Sequence, residues 1–280
     1  MSKALSAILR RPLTLLGLVL VITHLGVALC APLLVPHDPF KLLDAPLEPP
    51  DARYWLGTDE LGRDFLSRVL LGGRICIAAA LISGFIAALV GGTIGLACAY
   101  YRGVFDDIVS RLVEMKLAIP AILLVALFVT AFGQSLGVLV GVITVIKMMG
   151  VIRTARAQGI VLMEQGYVKA ARLRGESGAA IILREMLPNI ADLLTVEFAL
   201  RSSSALLLVS AISFLGLGIS PPTPDWGMMI HDGLQSIRSE PWLILAPALC
   251  ISTLVIGINF ATEGIADALG LEAARGTSGH

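Results

Sequence analysis

Residues Lys169 to Pro188 read KAARLRGESGAAIILREMLP, and this stretch decides where the rest of the chain can go. From Arg153 to Asn189 the chain carries Arg153, Arg156, Lys169, Arg172, Arg174 and Arg184 against Glu164, Glu176 and Glu185. A charge at mid-bilayer costs about 2.5–3.5 kcal/mol. This net-basic segment, although set between long apolar runs, therefore belongs outside the membrane. Helix formers run to Arg174, and Gly175 then offers a stop that tolerates positive φ. Ser177 is placed to N-cap a second short helix, and Pro188 predicts its end near Leu187. Ala170 and Ala171 predict a small, flat patch that another protein could approach closely. The expectation is two short helices with a glycine elbow, shaped to enter a partner.

The surrounding 280-residue chain is 56% hydrophobic and 15% charged, with a mean hydropathy of +0.85. That composition defines an integral membrane protein rather than a soluble domain. Lys and Arg number 21, as do Asp and Glu, so charge gives no argument for a nucleic-acid partner. Cys30, Cys76, Cys98 and Cys250 stand far apart in or beside apolar runs. They read as small hydrophobes, not as a metal site or a disulfide framework.

Apolar runs at 12–35, 75–101, 117–132, 136–152, 193–218 and 242–261 predict six spans. The first, of about 24 residues, is too long for a signal-peptide core and can cross a bilayer of ~30 Å. Leu29 before Cys30 argues against a lipoprotein signal, so an uncleaved helix is expected. His24 within it has no second metal-type residue at helical spacing and reads as a helix contact. Gly84, Gly91, Gly92 and Gly95 suit close packing in lipid. In the turn at 102–116, Asp107 and Arg111 are spaced to pair. The expected organisation is a tail and first helix (1–35), an outer segment with an interfacial helix (36–74), a five-helix core (75–270) holding the loop 153–190, and a disordered tail (271–280).

Between the first two spans the chain is proline-rich and mixed in charge, and LGRDFLSRVLLGGRI has the pattern of an amphipathic surface helix. Asp64 and Arg68 lie at i,i+4 and could pair on it. The loop ISPPTPDWGMMIHDGLQSIRSEP holds His231 and the pair Met228–Met229, which read as packing residues because no further ligand lies nearby. Ionisable residues inside spans are functional hypotheses by default. Glu197 and Arg201 lie at i,i+4 on the fifth span, where a salt bridge competes with a place on a translocation pathway for a zwitterion. Lys147 reads as snorkelling toward the nearer interface. With the N-terminus inside, thirteen Lys/Arg fall on inner segments and six on outer ones. This bias puts the basic loop and both termini in the cytoplasm.

The stretch 169–188 is similar to the EAA loop of binding-protein-dependent ABC importer permeases. Ala170, Ala171, Gly175, Leu187 and Pro188 match it, with Lys169 where the family's Glu stands and Glu185 where an apolar residue is usual. WLGTDELGRDFLSRVLLGGR resembles a segment of dipeptide, oligopeptide and nickel importer permeases, through Gly57, Thr58, Asp59, Gly62, Arg63, Asp64 and Arg68. FLGLGISPPTPDWGMMIHDG resembles the same subfamily. The resemblance implies an all-α, six-helix type I ABC importer permease with a cytoplasmic coupling helix, in a bacterial inner membrane. It implies that Lys169, Ala170, Ala171, Arg172, Gly175, Leu187 and Pro188 meet an ATPase. The partners it implies are a homologous second permease, two ATPase subunits that bind ATP and magnesium, and an extracytoplasmic substrate-binding protein. The GTDELGRD residues then either build the surface or touch that binding protein. The chain has no GxxxxGK[ST] loop, so it is read as non-catalytic and without a cofactor of its own. Di- or oligopeptides are the implied substrate, with nickel, a metal chelate, an opine or glutathione as alternatives. A secondary transporter is disfavoured by the absence of an internal repeat or a Gly/Pro-broken pair of spans. A mere scaffold would leave the loop without a purpose.

Overall fold

The computed structural model describes residues 11–268, and every regular element among them is helical. The expected tail 271–280, with Arg275, and the N-terminal Lys3 and Arg10 lie outside the described residues. The elements are α1 (Pro12–Leu34), α2 (Phe65–Tyr101), α3 (Gly103–Leu117), α4 (Ala121–Phe132), α5 (Leu136–Met163), α6 (Gly166–Leu173), α7 (Ala191–Phe214), α8 (Trp226–Asp232) and α9 (Trp242–Ala268). A helical stretch without a label of its own occupies 178–189, between α6 and α7.

Five of these helices (α1, α2, α5, α7 and α9) are long and apolar enough to cross a membrane. The sixth crossing, expected at 117–132, takes a different form. Its helix α4 has 12 residues, about 18 Å, which is short of a bilayer core of ~30 Å. It joins α3 through a bend of 92°. Pro120 is the cause: it disfavours helical geometry in the residue before it and cannot donate into the turn. Taken together, the bent pair is long and apolar enough to count as a sixth candidate span.

Helix α2 is the axis, packing on α5, α7 and α1. Its 37 residues measure about 55 Å, so both ends project beyond a bilayer core. Close packing needs its small residues. A Cβ at Gly95 would stand 2.5 Å from the Ile152 carbonyl oxygen of α5, so only glycine lets these backbones meet. The separate interfacial helix expected before residue 75 is not there. Asp64 caps α2 at its first turn, accepting from Ser67 N at 3.1 Å and from the Ser67 hydroxyl. Nothing after it breaks the helix. Gly72 and Gly73 do not, because the Trp226 ring packs over them while its Nε1–H donates to Val69 O at 2.8 Å.

Helix α5 likewise overruns its predicted end and carries Arg153 and Arg156 past the apolar run. Arg156 pairs with Asp106 of α3 through Nε at 2.5 Å and Nη2 at 2.6 Å. The ion pair expected in the 102–116 turn therefore forms from a different carboxylate, and Asp107 and Arg111 are not joined. The main core lies among α1, α2, α5, α7 and α9, and a second, smaller core sits under the basic loop.

Candidate functional site

The loop after α5 is two helical arms on a core of their own. Helix α6 ends in a Schellman motif: Gly175 N–H donates to Arg172 O at 3.0 Å and Glu176 N–H to Ala171 O at 3.3 Å, with Gly175 at φ +75°. The elbow anticipated at this glycine is present. Ser177 caps the second arm by accepting from Ala180 N at 3.3 Å. That arm runs as Gly178–Ala180, a π-helical segment Ile181–Met186, and Leu187–Asn189. Its predicted end at Leu187 is overrun by two residues. In the π segment Leu187 N–H bonds Ile182 O, and Pro188 follows where the wider turn has already left the regular ladder.

Val168 and Ala171 of α6 turn inward with Ile181, Ile182 and Met186, against Leu96 of α2 and Ala155 of α5. Ala171 is 0% exposed. This corrects the expectation that Ala171 presents a flat patch to a partner: it packs the loop onto its own bundle, and Ala170 beside it is half-buried. The outward surface is Lys169, Arg172, Leu173 and Arg174. Lys169 pairs with Glu164 at 3.0 Å and Arg174 with Glu176 at 2.6 Å; exposed pairs such as these add little stability. Arg172 lies 4.6 Å over the Tyr100 ring at the end of α2 and donates to Tyr100 O at 3.5 Å. Leu187 is half-buried and Pro188 exposed. Leu173, which the motif does not single out, is 89% exposed. It stands about 140° round the helix from Ala171's neighbour Val168 at 100° per residue, and that periodicity is the signal that could have found it.

At the far end of α2, the residues of GTDELGRDFLSR make a knot. Gly57 and Gly62 hold φ of +70° and +75°, and Thr58 bridges to Asp64. Asp59 accepts from Leu61 N and Arg63 N (2.9 and 3.0 Å), from Arg63 Nε (2.7 Å), and pairs with Arg68 Nε at 3.2 Å. Arg68 also donates to Pro39 O at 3.1 Å and to Pro222 O at 3.4 Å. It therefore binds Asp59 and two distant segments, and the i,i+4 pair with Asp64 does not form, because Asp64 is the cap of α2. Thr58, Asp59, Asp64 and Arg68 are buried, which leaves neighbours such as Trp55, 71% exposed, to meet anything outside. Nearby, Asp225 caps α8 through Gly227 N and Met228 N (2.8 and 3.2 Å) and accepts from Ser213 Oγ at 3.0 Å. Burial pushes its carboxyl above the usual carboxylate range, against the pull of Ser213 and those amides.

Within the bundle, Glu197 and Arg201 do pair. Glu197 is 2% exposed and accepts from Arg201 Nε at 2.8 Å and Nη2 at 2.6 Å. The Arg201 guanidinium lies across Gly150 of α5, where a Cβ would stand 2.9 Å from its Cζ. Lys147 sits near the middle of the long α5, half-buried rather than at its end. No group of three or more His, Cys, Asp or Glu side chains placed to hold a metal gathers among the described residues, around His231 or elsewhere.

A long axial helix knotted at one end, a basic two-armed loop at the other and a multi-span apolar bundle between them define a membrane permease. The chain belongs to the family of binding-protein-dependent transport system inner membrane components, whose model matches residues 91–270, and it is an ABC importer permease of the dipeptide/oligopeptide subfamily. Among curated relatives, it is 32% identical to the dipeptide transport system permease protein DppC of Alkalihalophilus pseudofirmus, over 95% of this chain and 88% of that one. It is 32% identical to the glutathione transport system permease protein GsiD of Pectobacterium atrosepticum, over 89% and 83%. It is 34% identical to the probable D,D-dipeptide transport system permease protein DdpC of Escherichia coli K12, over 92% and 87%.

Proposed function

We propose that this chain forms half of the translocation pathway of an ATP-driven importer of small peptides in a bacterial inner membrane. The observation that carries the coupling part is the basic loop: it stands on a core of its own, is tied to α2 through Arg172 and Tyr100, and thrusts Leu173 outward. A rigid arm joined to the axial helix can pass a push from a partner into the bundle. The partners proposed are two ATPase subunits, which bind ATP and magnesium, a homologous second permease, and an extracytoplasmic binding protein at the knotted end. The chain itself hydrolyses nothing. The excess of Lys/Arg on the loop side supports a cytoplasmic loop and cytoplasmic termini.

Peptides are the proposed cargo because relatives over most of the chain are named for dipeptide and glutathione transport. Glutathione, itself a small peptide with free carboxylates, is the second reading on the same observation. Reconstitution of the chain with its partners and binding protein in liposomes tests both. ATP-dependent uptake of a dipeptide or glutathione, in preference to nickel, is expected; uptake of nickel alone would reassign the cargo.

A further inference from the structure

One charge imbalance inside the bundle has no partner among the described residues. Glu197 is already held by two nitrogens of Arg201. Lys147 precedes Gly150 by three residues and so shares the α5 face on which the Arg201 guanidinium lies. Lys116, in the last turn of α3 just before the bend to α4, lines the same groove as Val145 and Ile146, the two residues that precede Lys147 on α5. Both lysines are half-buried. Lys41 and Lys169 have carboxylate partners, whereas Lys116 and Lys147 have none among the described residues. Three half-buried cations thus have one carboxylate among them. Like charges there repel and desolvation is costly, so a further anion is strongly favoured. Lys116 also borders a cavity of about 390 Å³ that is otherwise apolar, lined by Leu124, Phe128, Val142 and Val145 among others.

We propose that Lys116, Lys147 and Arg201 form a carboxylate-binding subsite on the pathway, which takes the C-terminal carboxylate of a small peptide while the adjoining cavity receives its terminal apolar side chain. Glu197 positions Arg201 and leaves the lysines free to meet the ligand. The lysine ammonium suits this task as a compact charge that can engage and release a passing carboxylate without a fixed bidentate geometry. This inference rests on the reading of the chain as a peptide importer.

The test uses the complete transporter in liposomes with its binding protein, and two carboxylate-bearing probes, alanyl-phenylalanine and glutathione. Lys116→Met with Lys147→Met keeps length and removes charge, and uptake of the imported probe should fall about tenfold or more. Lys147→Arg, which restores the charge, should keep most of the uptake in a way that a packing role would not. The double Met protein should still retain the second permease and the ATPases on purification. Uptake at the wild-type rate in the double variant overturns the subsite. Loss of the second permease from it overturns the subsite too, because the counter-ion then belongs to that partner. A wild-type transporter that imports neither probe fails differently, since it contradicts the peptide-import reading itself.

Discussion

The two ends of α2 use charged residues in opposite ways. At the knotted end, Asp59, Arg63 and Arg68 are turned on one another, and Asp64 caps the helix. At the loop end, Lys169, Arg172 and Arg174 face outward around an exposed Leu173, and it is the alanine of the motif that is hidden. A run rich in charge can therefore be a piece of core, and a run rich in alanine can owe its alanines to internal packing. Composition alone does not say which face of a motif meets the world.

The largest effect expected from this contrast is at the knot. Asp59→Ala leaves the buried Arg68 and the half-buried Arg63 without their carboxylate and strips two amides of their acceptor. It should cost about 3–5 kcal/mol, read as a large fall in thermal unfolding temperature in detergent. A fall no greater than that of an exposed control, such as Asp51→Ala, would show the knot to be ornamental. At the loop, Ala171→Asp puts a carboxylate into the small core beside Ile181 and Met186. A cost of about 1–3 kcal/mol is expected, confined to the loop and visible as new proteolysis between residues 164 and 190 while the spans stay intact.

Much of this was legible beforehand. The apolar runs located α1, α5, α7 and α9 within a few residues at most ends, and Ser177 and Gly175 announced the two arms with their elbow. What escaped needed three dimensions. Asp106 was chosen over Asp107 because Arg156 arrives from a helix fifty residues away. Arg68 left Asp64 for Asp59 because Asp64 was already engaged as a cap. The interfacial helix merged with α2 because Trp226, at the start of the remote helix α8, covers the Gly72–Gly73 pair that would otherwise invite a break. Local spacing identifies who can pair; the packing of distant segments decides who does.

The smallest effect belongs to Asp225. Its folded-state pKa is raised by burial, so the charged form destabilises the fold. That penalty is absent below the ordinary carboxylate value and grows as pH rises through the raised one. Asn keeps an acceptor for Gly227 and Met228, so Asp225→Asn should be slightly more stable than the parent at neutral pH. The difference should vanish in acid. Asp225→Ala removes the cap and should instead cost about 0.5–2 kcal/mol. Thermal melts of both variants across pH separate the two contributions, and a gain for Asn that persists unchanged in acid would contradict the burial argument.

The central claim is that the outward face of α6, not its alanines, joins the bundle to the ATPase. Leu173→Asp tests it most directly, since Leu173 touches little of its own chain and the substitution should leave the unfolding temperature unchanged. Purified with its partners, the Leu173→Asp protein should lose most of its ATPase subunits while keeping the second permease. Full retention of the ATPase, with uptake at the parent rate, would contradict the claim.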